Sequence, residues 1–206
     1  MSILLFIEII QSTTYAMPRT PTTNLNGKIM SRINIVTTDT ATPEQQELLA
    51  AIQTKLGMVP NFLKVFANSP SALRAFLGLH SISGEGSLDA QMRERIALTV
   101  AQKNSCEYCV SAHTAIGRGT GLDNAEMEAN RAGTSKDAKA AIVVKFAQSL
   151  VEHQGEVTTS ELTEMRDAGY SESDIVEVIT HVGMTLLTTI LGKAARLEID
   201  FPKVSL

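Results

Sequence analysis

Residues 86–117 read GSLDAQMRERIALTVAQKNSCEYCVSAHTAIG, and this stretch decides the secondary-structure class of the whole chain. Ser87 to Asp89 supply a helix start, and the residues after them place Ala90, Glu94, Ala97, Leu98 and Ala101 on one helical face. Asn104-Ser105 then interrupt the pattern and cap a second helix, which carries Cys106, Cys109 and His113 and fades across Gly117, Gly119 and Gly121. A connection this short folds the second helix back against the first. Neither segment alternates apolar and polar residues with the period of a strand.

Working outward, the same grammar recurs. Thr42-Pro43-Glu44-Gln45 is a capping box with proline at the first helical position, and Gly57 ends its helix. Pro60 starts a short helix, and Ser69-Pro70 start another that Gly84 closes. Asp123 with Glu126 reads as a capping box, ended near Gly133. Ser135 is read as the start of a long helix to about His153, with Ala138, Ile142, Val143, Phe146 and Leu150 along its buried side. Thr158 with Glu161 and Ser171 with Asp174 cap the last two helices. The expected fold class is all-α, a bundle of about eight helices with no sheet, in one domain covering residues 30–206. The final helix is apolar on much of its circumference (Ile179, Val182, Met184, Leu186, Leu187, Ile190, Leu191). Such a helix is central in the core or covered by another subunit, so a homo-oligomer is expected.

Composition supports this class. In 206 residues, 44% are apolar and only 4% aromatic, with no Trp, so Ala, Leu, Ile, Val and Met carry the core. The net charge is −4 and no block of basic residues occurs, which removes the electrostatic footprint of a nucleic-acid binder. Residues 1–10 are almost wholly apolar but too short to span a bilayer, and no Lys or Arg precedes them as a signal peptide requires. A Ser, Thr, Pro and Asn-rich stretch follows. Residues 1–29 are therefore expected to be a disordered arm or an over-extended start, with Met30 as the biological beginning, and no membrane association is expected.

The chemistry lies in Ser105 to His113. Both of the chain's cysteines are here, three residues apart, and a pair this close staples no long loop. The pair is therefore read as reactive or metal-binding, in a reducing compartment, the cytoplasm. Cys106 and Cys109 are neighbours on one helical face, and His113 follows one turn later. Cys106 in the first turn meets unpaired backbone N–H groups that favour a thiolate, while His113 stands near Cys109 as a base. Glu94, set in a strip of small apolar residues, is the candidate partner that orients the imidazole. A structural zinc site takes four ligands where three are on offer, so no metal is expected. Neither a Rossmann fingerprint nor a P-loop occurs, and no cofactor is read. His80, His153 and His181 are assigned to core or surface, and Tyr108 to packing.

The spacing Glu94–x11–Cys106–x2–Cys109–x3–His113 resembles the signature of the alkylhydroperoxidase D-like proteins of the carboxymuconolactone decarboxylase superfamily. LGMVPNFLKVFANSP (56–70), the 86–117 stretch and EIDFP (198–202) resemble its peroxidase-related subgroup. The resemblance covers about residues 30–204 and implies an all-α fold in trimers or hexamers. It implies that Cys109 is the peroxidatic thiolate, activated by His113 directly or through a water held by Glu94. Attack on an organic hydroperoxide would leave a sulfenic acid that Cys106 converts to the Cys106–Cys109 disulfide. An external dithiol of the thioredoxin or lipoyl type would reduce it. By its own position at a helix start, however, Cys106 reads as the more acidic thiol. Two departures stand out: Glu107 and Tyr108 replace a histidine some relatives carry between the cysteines, and Thr185, Thr188 and Thr189 occupy turns where Asn is expected. The alternatives are a cofactor-free lactone decarboxylase or isomerase and a non-enzymatic redox sensor or metal-binding module.

Overall fold

Most helices of this protein begin where a side chain takes up an orphan backbone amide. The computed structural model describes residues 31–206; the expectations placed on residues 1–29 lie outside the described residues. Within them run α1 (Pro43–Leu56), α2 (Asn61–Phe66), α3 (Pro70–Ser83), α4 (Ala90–Lys103), α5 (Glu107–Gly119), α6 (Asn124–Arg131), α7 (Ala138–Glu152), α8 (Thr159–Asp167) and α9 (Glu172–Ala195). No strand occurs among the described residues. Thr42, Thr158 and Ser171 close the reciprocal capping boxes expected of them. Gly57 ends α1 at φ 75°, a left-handed conformation that glycine adopts without a Cβ penalty.

Three starts differ from expectation, those of α7, of α6 and, at the dithiol, of α5. Asp137, not Ser135, caps α7, because the Ser135 hydroxyl is drawn away to donate to Glu126 Oε1 at 2.6 Å. Asp123 does accept the Glu126 amide at 2.7 Å, but the box is one-sided. The Glu126 carboxylate turns inward and receives Arg95 Nε, Asn130 Nδ2, Ser135 Oγ and the Lys136 amide at 2.6 to 2.9 Å. Burial opposes its charge, yet those donors outweigh burial and hold the carboxyl down at about 2.

At the centre lies α4, packed against α5, α6, α7 and α9. Its Ile96, Leu98 and Val100 are fully buried, and Val143, Phe146, Met165, Val178 and Val182 from α7, α8 and α9 close the main core around it. A second cluster gathers Val65, Ala101, Cys106, Tyr108, Cys109, Val110, Ala195 and Leu197, so the dithiol is part of the hydrophobic interior. By length and apolarity α9 alone among the described helices could cross a bilayer. Here one face of it is core, while Val176, Ile179, Leu187 and Ile190 on the other remain exposed.

After α9 the chain runs back over the start of α5. The Tyr108 hydroxyl donates to Asp200 Oδ1 at 2.8 Å and accepts the Phe62 amide at 3.3 Å, while Asp200 Oδ2 takes the Asn61 amide at 2.7 Å. Phe201 meets the Tyr108 ring edge-on, and the Val204 amide donates to Ser111 Oγ at 3.0 Å. Burial first, and then Asp200, push the Tyr108 phenol far up, so Tyr108 serves as a neutral donor in packing, as assigned.

Candidate functional site: a dithiol at a helix corner

The corner between α4 and α5 is three residues long, and Cys106 belongs to both helices. Ser105 adopts φ 50°, and the bonds Ser105 N to Gln102 O (2.9 Å) and Cys106 N to Ala101 O (3.0 Å) form a Schellman motif that ends α4. The Cys106 carbonyl then accepts the Val110 amide at 2.9 Å, the first bond of α5. Its sulfur accepts the Cys109 amide at 3.3 Å. Cys106 is therefore the N-cap itself, with extended backbone, and not a residue of the first turn capped by Asn104-Ser105.

Both thiols are free and buried, Cys106 2% and Cys109 4% exposed. The hydrogen bond from the Cys109 thiol lowers the Cys106 pKa most. Burial opposes it, and the Cys109 amide and the charges of His113 and Lys193 assist, leaving Cys106 at about 7. Cys109 moves strongly upward, because its proton is engaged by Cys106 and its site is desolvated. Two sulfurs in one apolar pocket cannot both be anions, and the helix cap selects Cys106. Lys193 of α9 approaches the same corner and donates to the Asn104 carbonyl at 2.8 Å.

Glu94 and His113 come together across the α4–α5 contact. His113 Nδ1 lies 2.8 Å from Glu94 Oε2, with side-chain exposures of 22% and 13%. Burial alone would lower the imidazole pKa, but the charge and hydrogen bond of Glu94 outweigh it and raise the group. The flanking arginines leave Glu94 to its partner: Arg95 pairs with Glu126, and Arg93 donates to the Leu88 carbonyl at 2.6 Å. Among the described residues no direct hydrogen bond joins His113 to either sulfur, and its charge acts on Cys106. All four residues singled out by spacing thus share one corner of the molecule. Of the other histidines, His181 is buried in α9 and His153 follows α7. His80 lies on α3 against Phe76, where the charges of Glu94 and His113 both reach it.

A carboxymuconolactone decarboxylase family model matches residues 70–148, from the start of α3 into α7, and so contains Glu94, Cys106, Cys109 and His113. That match likens the chain to the alkylhydroperoxidase D-like and carboxymuconolactone decarboxylase superfamily. A peroxidase-related protein from Silicibacter sp. TM1040 is 27% identical, with 83% of this chain and 92% of that one aligned at a TM-score of 0.74. A second peroxidase-related protein, with an alkylhydroperoxidase core, from Ralstonia eutropha JMP134 shares the fold at 20% identity, 84% and 94% coverage and a TM-score of 0.75. A debrominase in complex with 2,3,4-tribromopyrrole shares it at 17% identity, 82% and 91% coverage and a TM-score of 0.70. An uncharacterised Haemophilus influenzae protein is 49% identical over 45 residues, which span 21% of this chain and 40% of that relative.

Three features of the site carry no legible signal in the sequence. Lys193 lies on the far helix, 84 residues after Cys109. The Tyr108–Asp200 lock joins residues 92 apart. Gly192, beside both sulfurs, looks in sequence like any small residue in an apolar helix.

Proposed function

We propose that this protein is a thiol-dependent peroxidase that reduces organic hydroperoxides through a Cys106–Cys109 dithiol and disulfide cycle, with Glu94 and His113 handling the proton. The observation that carries the reading is the Cys106 sulfur held as a helix cap by the Cys109 amide, with the second thiol in the same buried cluster. A thiolate poised near neutrality stands beside its resolving partner, and an imidazole whose proton affinity Glu94 raises lies on the next turn of the same helix.

Each step balances on these groups. The Cys106 thiolate attacks the terminal oxygen of ROOH, an S–O bond forms and the O–O bond breaks. The departing alkoxide takes a proton from the His113 imidazolium and leaves as ROH. Cys109 then attacks the Cys106 sulfenic sulfur, its thiol proton and the sulfenic hydroxyl leave as water, and the disulfide forms. An external dithiol of the thioredoxin or lipoyl class returns the pair to the thiols and is itself oxidised to a disulfide. This order makes Cys106 the attacking sulfur and Cys109 the resolving one, the reverse of what the family resemblance implies.

Trapping the sulfenic acid with dimedone tests the order and the function together. With tert-butyl hydroperoxide, Cys109→Ser should accumulate a dimedone adduct at Cys106, and Cys106→Ser should give none. An adduct confined to Cys109 in Cys106→Ser reverses the assignment. Turnover unchanged in Cys109→Ser, or in the double variant, removes the dithiol from the chemistry and moves the reading to lactone decarboxylation.

A further inference from the structure

The buried glycines of this protein are not equivalent. At Gly117 in α5, a β-carbon would lie 3.1 Å from Met127 Sδ and 3.4 Å from Leu122 Cδ1, tight contacts that account for a glycine by packing. At Gly192 in α9 the same construction meets Cys106 Sγ at 3.4 Å and Cys109 Sγ at 3.8 Å, and nothing else within 4 Å among the described residues. Those are ordinary contact distances, so an alanine fits. Packing does not require a glycine here, and alanine is the better helix former. What glycine leaves at this position is a methyl-sized space bordered by both sulfurs, inside a wall where the sulfurs themselves are almost wholly covered.

We propose that Gly192 is a substrate-admitting residue of the site, and that the space it leaves against Cys106 Sγ and Cys109 Sγ receives the peroxide oxygen that becomes bonded to sulfur. The inference rests on the peroxidase reading and extends it. An oxygen atom and a methyl group are of similar size, so the space admits the terminal oxygen of ROOH while the organic group stays outside. After the O–O bond breaks, the sulfenic hydroxyl occupies the same place between the two sulfurs. It remains there until Cys109 attacks and the oxygen leaves as water. Lys193, the next residue of α9, holds the helix at this corner through the Asn104 carbonyl and keeps Gly192 over the pair.

The test compares full-length reduced protein, Gly192→Ala and Gly183→Ala. Gly183 lies on the same helix, on its outer face away from the sulfurs, with nothing within 4 Å of its would-be β-carbon, so it reports what an added methyl does to α9 without touching the pair. Thiol loss is followed with hydrogen peroxide and with tert-butyl hydroperoxide, alongside thermal midpoints and the dithiol–disulfide equilibrium in a glutathione buffer. Gly192→Ala should react at least about tenfold more slowly with both peroxides, the order of loss that a blocked approach brings. Its midpoint should be unchanged or higher, its redox equilibrium unchanged, and Gly183→Ala should react like the parent. Gly192→Ala reacting at the parent rate overturns the proposal. So does equal slowing in Gly183→Ala, or a redox equilibrium that shifts with the rate, since each assigns the effect to the helix or to distortion of the pair. A parent protein whose thiols survive peroxide refutes the peroxidase reading itself, and the parent arm shows that independently of any variant.

Discussion

Replacing Cys109 with alanine removes the thiol that donates to Cys106 and leaves the backbone amide of residue 109 as the remaining donor at that sulfur. Cys106 titrates at about 7 against an ordinary thiol value of 9.0, and the lost hydrogen bond is the largest contribution to that shift. Two pKa units correspond to about 2.7 kcal/mol of preference for the thiolate. Near neutrality the parent holds about half of Cys106 as thiolate, and a fully relaxed thiol would hold about 1%, so the anion falls by at most ~50-fold. Alkylation rates report less than this. A more basic thiolate is intrinsically more nucleophilic, which over two units restores roughly six- to tenfold and leaves a net loss of roughly five- to eightfold. Thiolate ultraviolet absorbance against pH is therefore the better assay. The parent should show one transition near 7, Cys109→Ala should move it upward by one to two units (roughly) because the amide still contributes, and Cys106→Ala should show no thiolate in that range. An unmoved transition in Cys109→Ala would refute the thiol–thiolate hydrogen bond as the cause. A transition near 7 surviving in Cys106→Ala would place the anion on Cys109 and undo the argument from the helix cap.

Three further outcomes are expected. Glu94 raises the His113 pKa, so imidazolium persists to higher pH than in a free histidine. The rate of peroxide reaction should rise with pH through the Cys106 ionisation near 7 and fall as His113 deprotonates. Glu94→Gln should move the falling limb to lower pH and reduce the maximum, and an unchanged profile would separate the pair from catalysis. Glu126, 6% exposed, is depressed from 4.5 to about 2, which amounts to about 3 kcal/mol of folded-state preference for its anion. Because its folded pKa is the lower one, that stability is present above about 4.5 and is lost as pH falls toward 2; Glu126→Gln should unfold more easily at neutrality and converge with the parent in acid, as thermal denaturation across pH will show. The outer face of α9, with Val176 61% and Ile190 65% exposed, is expected to be covered in a trimer or hexamer. Light scattering should give that mass for the parent and a smaller one for Ile190→Lys with Ile179→Lys, and a monomeric parent would reject the assembly.

What the sequence discloses here depends on whether a residue's partner is close along the chain. Thr42, Ser69, Asp89, Thr158 and Ser171 cap the amide three residues on, so local pattern is sufficient. Glu94 and His113 were legible because a three-residue corner leaves two helices little choice but to lie together. Ser135 and Glu126 were misread for the opposite reason. Each has a local capping role available, and each is taken from it by a buried network that joins α4, α6 and the turn before α7. Cys106 escaped as a cap because cysteine is rarely counted among capping residues, although its sulfur can accept as an anion. The C-terminal segment returns to Tyr108 through contacts across some ninety residues, and no periodicity encodes such a return.

The double membership of Cys106 gives oxidation a mechanical reach. Its amide finishes α4, its carbonyl begins α5, and its sulfur holds the amide of Cys109. When that sulfur enters a disulfide it loses its charge, and with the charge goes the best acceptor available to the third amide of α5. The electron count of one bond is thereby written into the fraying of a helix, and hydrogen exchange at the Cys109 amide becomes a reporter of redox state that needs no label. Exchange there should be slow in the dithiol and faster in the disulfide.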